Sequence, residues 1–111
     1  MIDAKHNERQ PLSVFLPFVL LAAATMNTAT AADYFNGREI YEIYCQTCHG
    51  IDGKSMEPGT PDFSSGDTLF RPDSELFTQI RQGKGVMPAY RGMLRDSEIR
   101  DVIAYLRSLR K

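Results

Sequence analysis

Cys45-Gln46-Thr47-Cys48-His49 contains both cysteines of the 111-residue chain and one of its two histidines. On a helical turn, residues three and four apart share a face, so both thiols can meet one edge of a flat macrocycle. The adjacent imidazole can then reach the macrocycle's centre from the same side. C-x-x-C-H is the pattern of covalent c-type haem attachment, with each sulfur forming a thioether to a vinyl group and His49 binding the iron. Three other readings fit less well. A zinc site needs a fourth ligand, and the other histidine, His6, lies near the N-terminus, in the segment read below as a leader. A redox dithiol pair belongs in a βαβ context, and no strand pattern competes here. A structural disulfide leaves His49 unexplained.

Outward from the motif, the chain reads as all-α with long loops. Asn36 with Glu39 three residues on resembles a capping box, and Ile40, Tyr41 and Tyr44 then fall on one helical face. From Gly50 to Asp67 glycines and prolines break any period. A short helix begins near Pro72-Asp73, carries Leu76, Phe77 and Ile80, and ends at Gly83. After a second loop, Asp96–Leu109 places Ile99, Val102, Ile103, Leu106 and Leu109 at helical spacing. Acidic residues at its start and basic ones at its end suit the helix dipole.

The hydrophobic residues are unevenly spread. Residues 1–32 contain 18 of them, and Leu12–Ala24 is an almost purely apolar run. A membrane span needs about 20 such residues, so this run fits the core of an export signal better. Lys5 and Arg9 precede it, offset by Asp3 and Glu8, and small residues follow it. The A-x-A pattern places cleavage after Ala31 or Ala32, which makes 1–32 a signal peptide and 33–111 the working domain. The alternative is an uncleaved leader that anchors the domain to the membrane, facing the periplasm. The 79 residues left after cleavage are lean and contain all eight glycines. A chain this small buries only about 60–65% of its unfolded surface, so a bound group is expected to complete its core.

From the early helix Gly37–Tyr44, Cys45–His49, the Met87-Pro88 pair and the last helix, the sequence resembles the class I c-type cytochromes. The resemblance spans the whole exported segment. It implies a cytochrome c-like fold, three to four helices and long loops around one covalent haem c. It also implies a periplasmic electron carrier rather than an enzyme. By resemblance, Met87 is the second iron ligand. The residues themselves leave Met56, Met87 and Met93 as thioethers: Met56 is close to His49 in sequence, and Met93 sits beside the last helix, where it can also be core. The rigid Pro88 after Met87 favours that position. The family also suggests a proline carbonyl that accepts a hydrogen bond from the axial histidine. Pro61 matches its place, with Pro58 as competitor, and Phe63 stands where leucine is commoner. Gly37 and Tyr41, against Tyr105, match the family's tight helix crossing.

A formal charge of −1 gives no pull toward nucleic acid. Charge is nevertheless lopsided: residues 33–80 carry three basic and nine acidic side chains, residues 81–111 eight and three. Arg81, Lys84, Arg91 and Arg95 flank Met87 and are candidates for a basic docking ring toward an acidic redox partner. Such partners are a membrane oxidoreductase as donor and a terminal oxidase or reductase as acceptor, met by a monomer. Arg71 and Arg81 are the candidates for pairing with haem propionates. Alternatives to a free carrier are a haem subunit of a larger respiratory oxidoreductase complex, or a haem peroxidase or gas sensor. For the last, residues 33–111 offer no histidine besides His49.

Overall fold

The computed structural model describes residues 30–111. The leader's apolar run lies outside the described residues. Helix α1 spans Tyr34–Tyr44 and runs into the single turn α2, Gln46–His49. A 3-10 turn at Asp67–Phe70 precedes α3, Asp73–Gln82, and α4 is Asp96–Leu109. Among the described residues there is no strand, only isolated bridges at Lys84–Met87 and Arg91–Leu94. The all-α architecture expected from the sequence is the one observed.

Both later helices begin and end where their chemistry says they should. Helix α3 opens after Pro72 with Asp73 and Glu75 in its first turn and stops at Gly83. In α4 the Glu98 carboxylate accepts the Arg95 N–H at 2.7 Å, satisfying a donor at the helix start. Helix α1 starts earlier than expected. Its cap is Asp33, whose carboxylate accepts the N–H groups of Phe35 (2.9 Å) and Asn36 (3.2 Å). Asn36 is inside the helix instead, and its amide donates to Asp101 of α4 at 2.7 Å. A tertiary partner thus claims the side chain that local pattern assigned to capping.

Helices α1 and α4 cross at Gly37, where backbone meets backbone. A Cβ on Gly37 would stand 1.9 Å from the Asp101 carbonyl oxygen, so no side chain fits. Asp101 fastens the same crossing from its other end by accepting the Asp33 N–H at 2.7 Å. One turn on, Tyr41 is fully buried, and its ring lies 5.1 Å from that of Tyr105. Ile40, Ile99, Val102, Ile103 and Leu106 complete this layer of the core. The Tyr41 hydroxyl donates to the Gly50 carbonyl at 2.7 Å, tying α1 to the loop after α2.

Arg107, from the last turn of α4, holds the segment before α3. Its guanidinium donates to the carbonyls of Leu69 and Arg71 and to the Asp73 carboxylate. The 67–73 segment is thereby fixed against α4 although it belongs to no long helix. Gly37→Ala should separate α1 from α4 and lower stability by about 1–3 kcal/mol, the usual cost of overpacking. For a domain this size each kcal/mol shifts the melting temperature by roughly 4–8 °C. Thermal melting followed by circular dichroism measures it.

Candidate functional site

Three backbone bonds make the Cys45–His49 segment a helical turn. Cys45 N–H donates to Tyr41 O (2.9 Å), His49 N–H to Cys45 O (2.9 Å) and Gly50 N–H to Gln46 O (2.8 Å). The turn puts Cys45, Cys48 and His49 on the wall of one cavity of about 660 Å³. Leu76 and Ile80 of α3, Leu106 of α4, Phe63, Val86 and Tyr90 give that cavity a largely apolar lining. Pro61 and Met87 also line it, so Cys45, Cys48, His49, Pro61 and Met87 meet there.

The neighbouring groups decide the chemistry of the motif. Burial pushes the Cys45 thiol up to about 12, with Cys48 adding to the effect. A thiol held so high is not the easily ionised sulfur of a redox dithiol pair. Among the described residues no cluster of three or more His, Cys, Asp and Glu side chains is arranged to hold a metal ion. Burial holds the His49 imidazole below its ordinary range, and the Pro61 carbonyl opposes that effect. Nδ1 of His49 is buried away from solvent. The Pro61 carbonyl lies beside the imidazole and also lines the cavity. The competitor Pro58 is exposed and does not line the cavity. The Phe63 ring lies parallel to the imidazole, with centroids 4.6 Å apart and planes inclined by 14°.

Met87 is partly buried against the core and lines the cavity, whereas Met93 and Met56 are 59% and 86% exposed and do not line it. The structure thus separates the three thioethers that the sequence left open. Met87 and Lys84 exchange both backbone hydrogen bonds at 3.0 Å, closing a tight turn over Gly85 and Val86. The chain then returns along the end of α3, with Tyr90 N–H donating to Ile80 O and Arg91 N–H to Arg81 O, both at 3.1 Å. The Tyr90 hydroxyl donates to the Tyr44 carbonyl at 2.9 Å, linking the methionine loop to the residue before Cys45. No sequence pattern announced that bond, because its ends are 46 residues apart. The Arg107 clamp was equally invisible.

The four basic residues around Met87 divide into two pairs. Arg81 binds Asp96 at 3.2 Å and Arg95 binds Glu98 at 3.0 Å, both on the first turn of α4. Lys84 and Arg91 have no ion-pair partner among the described residues, and Lys84 lines the cavity mouth. Arg71 also lines the cavity while Arg81 does not, which separates the two candidates for a carboxylate partner.

An apolar cavity with two thiols and an imidazole on one turn and a thioether on its wall fits a covalent haem. Comparison with known proteins agrees. Residues 32–106 match the family model described as cytochrome C oxidase, cbb3-type, subunit III. Cytochrome c6 of Nostoc sp. is 31% identical over 97 residues, covering 84% of this chain and 86% of that protein. The cbb3-type cytochrome c oxidase subunit FixP of Bradyrhizobium diazoefficiens is 36% identical over 85 residues, which are 74% of this chain but 29% of FixP. Among solved structures, cytochrome c6 of the diatom Phaeodactylum tricornutum superposes with a TM-score of 0.61 at 28% identity, covering 69% of this chain and 93% of that one. Motif, cavity and relatives converge, and the chain belongs to the class I c-type cytochromes, electron-transfer proteins that carry a covalent haem c.

Proposed function

We propose that this chain is a one-electron carrier of the periplasm, with Cys45 and Cys48 holding the haem, His49 and Met87 as axial ligands, and Pro61 as hydrogen-bond acceptor for His49. The observation that carries the reading is the convergence of Cys45, Cys48, His49 and Met87 on one apolar cavity. Haem bound there supplies reversible exchange between ferrous and ferric iron. The thioether of Met87 favours the ferrous state and raises the potential. With protein groups on both sides, the arrangement suits electron transfer better than binding of peroxide or a gas. Arg71, at the cavity wall, is the group suited to pair with a propionate.

Export rests on the leader, with cleavage after Ala31 or Ala32. None of the described helices is long and apolar enough to cross a membrane. The docking face toward an acidic redox partner centres on Lys84 and Arg91, because Arg81 and Arg95 are already paired to α4. The match to FixP and to the cbb3 subunit III family supports a second reading, a haem subunit of a larger respiratory oxidoreductase complex. Co-purification of the native protein with membrane subunits distinguishes it from a free carrier.

The spectrum of the purified protein tests the ligands. The reduced form should show a c-type α band, and the oxidised form a weak near-infrared methionine–iron band. Met87→Ala should abolish the near-infrared band and lower the potential, while Met93→Ala should leave both unchanged. Cys45→Ala/Cys48→Ala should give a largely unfolded chain, because the cavity then has nothing to fill it. A cooperative melt with native-like helicity in that variant would remove the cofactor from the argument. Electron transfer to an acidic partner should slow as salt rises, since the Debye length is about 10 Å at 0.1 M. Lys84→Glu should slow the reaction by on the order of tenfold at low salt. A rate indifferent to both would remove the basic docking face.

A further inference from the structure

The two helical pieces that carry the attachment motif do not join smoothly. Helix α1 ends at Tyr44, and Cys45 departs from helical geometry at φ −117° before α2 begins at Gln46. The Cys48 N–H, which in an unbroken helix would donate to the Tyr44 carbonyl, donates instead to the Cys45 carbonyl at 3.2 Å. A carbonyl released at a helix end needs a donor from elsewhere. The Tyr44 carbonyl finds one far along the chain, in the Tyr90 hydroxyl at 2.9 Å.

Tyr90 is placed to connect the two sides of the cavity. It is 8% exposed, its ring lines the cavity, and it meets the Tyr44 ring edge-on with centroids 6.1 Å apart. Its backbone is fixed at both ends of the residue. The N–H donates to Ile80 O at 3.1 Å, and the carbonyl accepts from Met93 (3.0 Å) and Leu94 (2.9 Å). Only Pro88 and Ala89 separate it from Met87, and the proline ring fixes φ, so little slack remains between them. On the opposite side the loop backbone lies against Gly83, where a Cβ would stand 2.6 Å from the Met87 carbonyl oxygen. The loop is thus clamped between α3 and the attachment turn, and the Tyr90 hydroxyl is the contact with the turn.

We propose that Tyr90 is a positioning residue whose hydroxyl latches the methionine loop to the break between α1 and α2, and so governs how readily an outside ligand displaces Met87. Displacement requires the 84–90 segment to lift away from the attachment turn. Breaking the Tyr90–Tyr44 bond, and leaving its two polar groups without each other, is part of that cost. A phenylalanine in the same place keeps the ring packing and loses only the latch. The proposal rests on the reading of Met87 as iron ligand.

The experiment titrates free imidazole into the oxidised, haem-loaded wild type, Tyr90→Phe and Tyr41→Phe, following loss of the near-infrared methionine band. Tyr41→Phe deletes a bond of the same kind, from a buried tyrosine hydroxyl to the Gly50 carbonyl, but on the histidine side. Tyr90→Phe should keep the band without imidazole and bind imidazole roughly three- to tenfold more tightly, the range one net hydrogen bond supplies. Tyr41→Phe should lower the melting temperature while leaving imidazole affinity within about twofold of wild type. Unchanged affinity in Tyr90→Phe overturns the proposal. So does an equal rise in both variants, since that shows general loosening and not release of one loop. The reduced wild-type protein supplies a check that needs no variant: nuclear Overhauser contacts between the Tyr90 and Tyr44 ring protons are expected, and their absence overturns the proposal. Failure of the underlying reading looks different, because the oxidised wild type would then show no methionine band before any imidazole is added.

Discussion

The contact between the backbones of α1 and α4 at Gly37 governs the rest of the molecule. Because no side chain separates the helices there, the next turn brings Tyr41 and Tyr105 ring against ring, and the C-terminal end of α1 is aimed by the crossing rather than by the loop that follows. The chain leaves α1 directly into the turn that carries Cys45, Cys48 and His49. Tyr41 then fastens that turn's exit through the Gly50 carbonyl. From the other helix, Arg107 and the first turn of α4 hold the segments that form the remaining walls. Displacing the crossing would move the attachment turn relative to every wall at once.

A domain of this size has a small core of its own, and here that core continues into the lining of a site of about 660 Å³. Leu76, Ile80 and Leu106 belong to the buried core and line the cavity as well, so a group held there would rest directly on the core. Stability and function then depend on the same group. Covalent attachment suits that dependence, since a cofactor that supplies part of the core is costly to lose.

Much of this was legible in sequence because it is local or periodic. The apolar spacing of Asp96–Leu109 and the Pro72–Gly83 signals fixed α4 and α3, and the C-x-x-C-H turn named its own chemistry. The start of α1 was misread because Asp33 and Asn36 are both good caps, and only the fold shows that Asp101 occupies Asn36. Choosing Met87 over Met93 on the residues alone needed tertiary information as well. Both methionines follow loops, and what separates them is the Lys84–Met87 turn and its anchoring to α3. Pro61 lies on the cavity wall beside His49, in the place that the family resemblance suggested for it.

Electron transfer rewards a site whose geometry is the same in both oxidation states, since atoms that move on oxidation add to the barrier. The methionine is the vulnerable member, because it sits on a loop rather than a helix. Here that loop is fastened at four places: the reciprocal Lys84–Met87 bonds, Tyr90 to Ile80, Arg91 to Arg81, and the Tyr90 hydroxyl to Tyr44. The last of these is decisive, because it joins the methionine loop to the residue before Cys45. The two walls of the cavity are thereby connected through a single buried side chain rather than through the long path of α3 and α4. A loop so tethered would keep its thioether in place whichever charge a bound iron carried, and Lys84 and Arg91, without an ion-pair partner among the described residues, lie on that same segment. The surface that would meet a partner and the ligand that would tune the iron thus move as one unit.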